Sequence, residues 1–380
     1  MKYIATIISV ALAGVFTVTG CSGGKNNASA EAEAADTVAA VTPRVQLIER
    51  LGKVRDTGKF AFGHHDDTAY GHTWRGEDGR SDVKEVTGDY PAIMNWDLGL
   101  VEWGAGKQLD GVPFELIHNE AVKQDARGGI NTFSWHPRNP ATKGDSWDTA
   151  GGNVVKEAVT GGSALNDTVR EWIGRAADFI GSIRDAAGNR IPVVFRPWHE
   201  HTGSWFWWGG DNTDTESYRK LWHMTREVFD AKGIDNVVWA YSPDKVDTVE
   251  QYMERYPGDE YVDIMGADVY CFDGKDGLEQ YAAKVKSTLS AAVSQAEARG
   301  KLAAFTETGL ESITVPAWYT DVLMPLVKEF PVVYVSVWRN ADNIPRHFYT
   351  PYPGHPAEES FKAFYNDSIT LFATDISEIK

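Results

Sequence analysis

The chain has 380 residues, 42% of them hydrophobic and 24% charged, an ordinary globular composition with enough length for a large core. Its 54 acidic and 37 basic residues leave a net charge of −17, with no Lys/Arg-rich run. Nucleic acid and other polyanions are thereby excluded as partners, whereas a neutral polymer is indifferent to the charge.

The first element is a targeting segment. Lys2 gives a short basic start, Tyr3 to Val18 form an apolar stretch, and Val18-Thr19-Gly20 precedes Cys21. The stretch is too short for a comfortable membrane span, and small residues before the cysteine suit a signal peptidase. The arrangement resembles a bacterial lipobox. Residues 1–20 are therefore expected to be a lipoprotein signal peptide, with Cys21 lipidated. Residues 21–42 follow as a flexible tether, Gly/Asn/Ala/Glu-rich and without large apolar residues up to about Ala40. No acidic cluster follows Cys21, so an outer-membrane protein facing the periplasm is favoured over one on the cell surface. Cys271 is then the remaining thiol, so no internal disulfide can form in the mature chain; it reads as a packed, inert side chain.

From residue 43 to 380 one catalytic domain is expected. Eight β-branched or aromatic runs alternate with helical patterns: Phe60–Gly63, Ala92–Asn95, Gly129–Ser134, Ile191–Arg196, Asn236–Ala240, Val262–Ala267, Leu302–Thr306 and Val332–Val337. Between them, Val169, Trp172, Ile173, Ala176, Phe179, Ile180 and Ile183 keep helical spacing, with Asp167 as N-cap and Gly188 as stop. Tyr218 to Phe229 repeat the pattern before Gly233, and Leu278 to Ala298 before Gly300. Eight βα units predict an α/β fold closed as a (β/α)8 TIM barrel. An open doubly wound sheet would need no eighth strand, and no Gly-rich phosphate loop follows the first. A long Gly/Asn/Thr/Asp-rich insertion, Pro137 to Asn166, follows the third strand.

Titratable and indole groups gather at the strands' C-terminal ends, where barrel active sites are built. They are His64-His65-Asp66-Asp67, Trp96-Asp97, Trp135-His136, Trp198-His199-Glu200-His201, Asp268-Val269-Tyr270, Glu307-Thr308-Gly309 and Trp338-Arg339. Two carboxylates at the ends of strands four and seven face each other across a barrel. That is the pair glycoside hydrolysis requires: an acid for the leaving oxygen and a nucleophile or base. His199 and His201 would lie on one side of an extended segment, as two metal ligands would, but no HExxH-type spacing or third ligand accompanies them. Neither a metal nor a cofactor is expected. The 14 Trp, gathered at loop positions, tilt toward a cleft that stacks on sugar rings rather than a Trp-rich core.

The string Phe195-Arg196-Pro197-Trp198-His199-Glu200-His201-Thr202-Gly203-Ser204-Trp205-Phe206-Trp207-Trp208-Gly209 resembles the acid/base motif of family 26 glycoside hydrolases. Phe305-Thr306-Glu307-Thr308-Gly309 resembles that family's nucleophile motif, and the strings around His65, His136, Tyr270 and Trp338-Arg339 follow in family order. The resemblance covers the chain from about residue 45 onward and implies a retaining enzyme with β-1,4-mannan as its commonest substrate. It implies Glu200 as acid/base and Glu307 as nucleophile. His199, His136 and Trp205 would line the sugar at the cut, with His65 among the substrate-binding residues. Tyr270 would hydrogen-bond the nucleophile, Trp338 would form a platform, and Arg339 would reach the next sugar outward.

The same motifs also fit hydrolysis of mixed-linkage β-glucan or β-xylan. A non-catalytic glycan-binding lipoprotein is the different-class alternative, opposed by the presence of both glutamates. A monomer is expected, with a β-mannan-type polysaccharide or oligosaccharide as partner.

Overall fold

The computed structural model describes residues 41–380; the signal peptide, Cys21 and nearly all of the expected tether lie outside the described residues. Eight parallel strands form the barrel: β1 (Phe60–His65), β2 (Ile93–Asp97), β3 (Ile130–Ser134), β4 (Val193–Arg196), β5 (Val237–Tyr241), β6 (Ile264–Cys271), β7 (Leu302–Leu310) and β8 (Tyr334–Val337). Each pairs with the next in sequence, and β1 pairs with β8, Ala61 opposite Tyr334 and His64 opposite Val337, so the sheet closes.

Alternation along each strand sorts the side chains. One set, including Ala61, Ile93, Ile130, Val194, Val238, Ile264 and Leu302, fills the lower interior. The other, including Phe62, Trp96, Phe133, Phe195, Trp239 and Phe305, packs outward against the helices. The helix Pro43–Asp56 adds Leu47, Leu51 and Val54 to the interior set and so plugs the barrel floor. Thr42 caps it, with Pro43 at its first position. Arg44 ties it to Asp263 through bonds of 3.0 and 2.6 Å.

The structure moves several expected boundaries. The helix after β3 runs Ala164–Ser182 with Ser163 as N-cap, its Oγ accepting from Asn166 N–H at 3.0 Å; Asp167 lies inside the first turn. It stops well before Gly188, because Arg184 and Arg190 form an antiparallel bridge. Strands β6 and β7 continue past Ala267 and Thr306, so Asp268, Tyr270 and Glu307 lie within strands rather than after them. The tryptophans are also mostly structural. Trp96, Trp135, Trp198, Trp207, Trp208, Trp222 and Trp318 are fully buried, whereas only Trp103, Trp147 and Trp205 are clearly exposed. The tilt from composition toward a cleft thus fails for most of them, because the indoles pack into the interior, Trp135, Trp198, Trp207 and Trp208 on one another beneath the strand-end loops.

Candidate active site

Beyond Arg196 the chain leaves β4 in a turn in which Trp198 and Glu200 take left-handed φ values of 55° and 52°. Such backbone costs about 1–3 kcal/mol per residue and persists only where its surroundings over-determine it. Four hydrogen bonds do so. The Trp198 indole donates to Thr225 Oγ1 at 3.0 Å and the Tyr218 hydroxyl to the Trp198 carbonyl at 2.7 Å. Glu200 N–H donates to the Ser242 carbonyl at 2.8 Å, and the Trp208 indole to the His199 carbonyl at 3.0 Å. The turn breaks the alternation of an extended segment. His199 faces the mouth, its Nε2 3.1 Å from Nε2 of His136, while His201 is buried with its ring 4.5 and 4.8 Å from those of Tyr218 and Tyr241. The expected placement of His199 and His201 on one side is overturned.

Across the barrel, β7 carries a bulge. Ala267 pairs with Phe305 and Asp268 with Glu307, leaving Thr306 as an extra residue. Two consecutive side chains therefore face inward: Thr306 Oγ1 lies 2.6 Å from Asp268 Oδ1, and Glu307 faces the mouth. Thr308 turns outward to the Tyr281 hydroxyl at 2.6 Å. Strict alternation would have aimed Glu307 at the helices. Gly266 leaves room for this bulge, since a Cβ there would stand 2.8 Å from Thr306 Oγ1 and Cγ2.

Glu307 is buried, with its Oε2 accepting from the Tyr270 hydroxyl at 2.7 Å. The Arg196 guanidinium bonds Glu307 Oε1 through Nη2 and Asp268 Oδ2 through Nη1, the latter at 2.6 Å. Glu200, Asp268 and Glu307 each bring a carboxylate oxygen within 4.8 Å of the others. Arg196 supplies the countercharge for two of them. Burial holds the Glu200 carboxyl well above the usual range, reinforced by the charges of Glu307, Asp268 and Asp244 and opposed by Arg196. Burial, with the Glu307 charge beside it, pushes the Tyr270 phenol up and keeps it a donor. Glu200 Oε2 accepts from the Trp205 indole at 2.8 Å.

A second polar chain meets this one from the other side. His136 Nδ1 lies 2.6 Å from Asp97 Oδ2, and that carboxylate also accepts from Ser134 Oγ at 2.8 Å and Gly99 N–H at 2.6 Å. Burial opposes the charge on Asp97, but the His136 charge and these bonds bring its pKa down to about 2. Burial likewise opposes protonation of His136; Asp97 outweighs it and the net shift is upward. Burial, followed by the Arg196 and His136 charges, holds His199 well below the usual imidazole range.

Seven of the nine expected catalytic and substrate-binding residues, namely Glu200, Glu307, His136, His199, Trp205, Tyr270 and Trp338, line one cavity of about 350 Å³. Two lie outside its lining. The His65 ring packs 4.2 Å from that of Trp338 and supports the indole from behind. Arg339 Nη1 is paired with Asp110 Oδ1 at 2.9 Å. The reading from sequence missed Trp147, in the insertion after β3, whose half-exposed ring stacks on His136 at 5.5 Å. It also missed the work of Arg196, Asp97 and Asp268, all visible at strand ends but unassigned. Cys271 is buried, and burial raises its thiol pKa.

The family model described as Glycosyl hydrolase family 26 matches residues 42–320. The solved structure of a GH26 beta-mannanase from Bacteroides ovatus is similar, with 45% identity and a TM-score of 0.85 over 88% of this chain and 96% of that one. A modular endo-beta-1,4-mannanase from Cellulomonas fimi is 32% identical with a TM-score of 0.78, over 88% of this chain and 76% of that one. A mannan endo-1,4-beta-mannosidase from Bifidobacterium adolescentis is 32% identical over 317 residues, 78% of this chain. The matched region spans 31% of that relative's length.

Proposed function

The chain belongs to glycosyl hydrolase family 26, and on that premise we propose that it is a retaining glycoside hydrolase cleaving β-1,4-mannosidic linkages in mannan, glucomannan or galactomannan. The observation that carries the reading is the pairing of Glu200 and Glu307 in one aromatic-walled cavity, with carboxylate oxygens within 4.8 Å. A retaining pair stands ~5–5.5 Å apart, an inverting pair ~6.5–9.5 Å, so the spacing supports double displacement. Glu307 attacks the anomeric carbon while Glu200, kept protonated by its surroundings, gives its proton to the departing oxygen. Glu200 then takes a proton from water as the glycosyl–enzyme bond is hydrolysed. Tyr270 and Arg196 hold the Glu307 carboxylate in place throughout. The sugar at the cut rests against Trp338, His136, His199 and Trp205, and Arg339 serves the next sugar outward. Reducing-end release from mannan, glucomannan, lichenan and xylan tests the assignment. Preference for the mannans supports it; preference for lichenan or xylan replaces mannose while keeping the chemistry, and absence of product from all four overturns it.

The same proposal places the enzyme as a lipoprotein at the outer membrane, held through Cys21 and facing the periplasm. The apolar stretch ending at Cys21 supports this. Incorporation of radiolabelled palmitate that disappears in Cys21→Ala checks the anchor, and protease shaving of intact cells checks the facing.

A further inference from the structure

The three-residue chain Asp97–His136–His199 ends on a buried atom with no partner. Asp97 Oδ2 lies 2.6 Å from His136 Nδ1, and His136 Nε2 faces His199 Nε2 at 3.1 Å. His199 Nδ1 has no hydrogen-bond partner among the described residues, although His199 lines the cavity. Two ring nitrogens at hydrogen-bonding distance share one proton between them, and whichever holds it dictates what the far side of the other ring presents.

We propose that Asp97 acts as a positioning residue: through His136 it keeps the shared proton on His136 Nε2, which makes His199 Nδ1–H a hydrogen-bond donor to a hydroxyl of the sugar at the cut. The role toward sugar rests on the glycosidase reading above; the order of protons does not. In the acid form His136 carries protons on both nitrogens and His199 on Nδ1. Loss of one proton to solvent leaves each ring with one: the shared proton passes from His136 Nε2 to His199 Nε2, and the Nδ1 proton departs. His199 Nδ1 is then an acceptor. A hydroxyl that accepts from Nδ1–H has its own proton free for the Glu307 carboxylate; a hydroxyl that must donate to Nδ1 presents a lone pair to that carboxylate instead. Sugar hydroxyl contacts of this kind strengthen in the oxocarbenium-like transition state.

The charges around the two rings agree. Asp97 from β2 and Glu307 from β7 favour protonation of His136, which Arg196 from β4 opposes. Burial disfavours a charge on His199, and the cation of Arg196, then His136, and more weakly His65 from β1 and His201 behind the turn, add to it. His65 is itself held well below the usual range, by burial first, with Arg339 and Arg196 adding to it.

The test is 15N NMR of the imidazoles in the full chain, with His136 identified by its loss in His136→Gln. The expected result is that His136 titrates above the usual imidazole pKa of about 6.5 and His199 carries its proton on Nδ1 while His136 is charged. In Asp97→Asn the His136 titration should move down by at least about one unit, a tenfold loss of proton affinity. An unmoved titration, or a proton on His199 Nε2 while His136 is charged, overturns the proposal. The tautomer in the unaltered chain decides it even if Asp97→Asn does not fold. On mannan, Asp97→Asn should lose about tenfold in kcat/KM above its new titration and recover as pH falls. A uniform loss at every pH would mark a merely structural role and overturn it. The imidazole readout involves no turnover, so a wrong substrate assignment leaves it standing.

Discussion

The Trp205 indole donates to Glu200 Oε2 at 2.8 Å, and an oxygen that accepts from an N–H is the less favourable site for the acidic proton. The acidic proton is thereby directed to Oε1. Trp205→Phe keeps an aromatic wall and removes only the donor. A fall in kcat/KM of about three- to tenfold is expected, matching roughly 0.5–1.5 kcal/mol for one hydrogen bond. An N–H donor favours the ionised carboxyl, so its removal raises the Glu200 pKa further. The alkaline limb of the pH profile should move upward, and a downward shift would contradict the assigned role.

The two glutamates should fail differently. Glu307→Gln removes the nucleophile and should lower turnover by on the order of a thousandfold or more, with oligosaccharide binding retained in calorimetry. Glu200→Gln should be as inert on polysaccharide but give a rapid phenolate burst from a dinitrophenyl glycoside, whose departure needs no protonation. The reverse pattern would exchange the two roles.

Glu200 should also cost stability where it is ionised. Its folded pKa lies above its unfolded value, so the fold favours the neutral acid. The associated stability is fully present below the unfolded pKa of about 4.3 and is lost as pH rises through the folded value. Glu200→Gln should therefore match the parent in melting temperature below about pH 4 and exceed it increasingly above, by at least about 2 °C at neutral pH. Equal melting temperatures across the range would remove the argument.

Gly266 provides the room that lets Thr306 and Glu307 both face inward. In Gly266→Ala the added methyl must displace Thr306, costing roughly 1–3 kcal/mol of stability as an overpacked interior does. The displacement is transmitted to the next residue, so kcat should fall in the surviving folded fraction while KM changes little. Full specific activity with a lowered melting temperature would show that the bulge and Glu307 are independent.

The barrel was legible because each strand is a compact apolar run between helical patterns, and burial on both faces demands such a run. Glu200 and Glu307 stood out because residue types at strand ends carry their own chemistry. Their orientation did not. The inward turn of Glu307 depends on an extra residue at Thr306 that only neighbouring registers define, and His199 and His201 part company through left-handed backbone at Trp198 and Glu200. The buried polar pairs were equally hidden. Asp97 meets His136 from 39 residues away and Arg196 meets Asp268 from 72, separations that no local pattern encodes. Trp147 lies in a loop whose path the sequence does not specify.

The pairing of β1 with β8 joins Ala61 to Tyr334, so the last barrel strand must be made before the first can find its second neighbour. Loops of that length are slow to close, and long-range parallel pairing dominates the folding time. Asp97 and His136 belong to the early half of the chain and Asp268 and Glu307 to the late half. An arc of strands lacking the final seam would leave the two halves free to splay apart. Recovery of activity during refolding is therefore a clock for the last seam rather than for the appearance of secondary structure, and a chain truncated before β8 should retain helices and strands yet hydrolyse nothing.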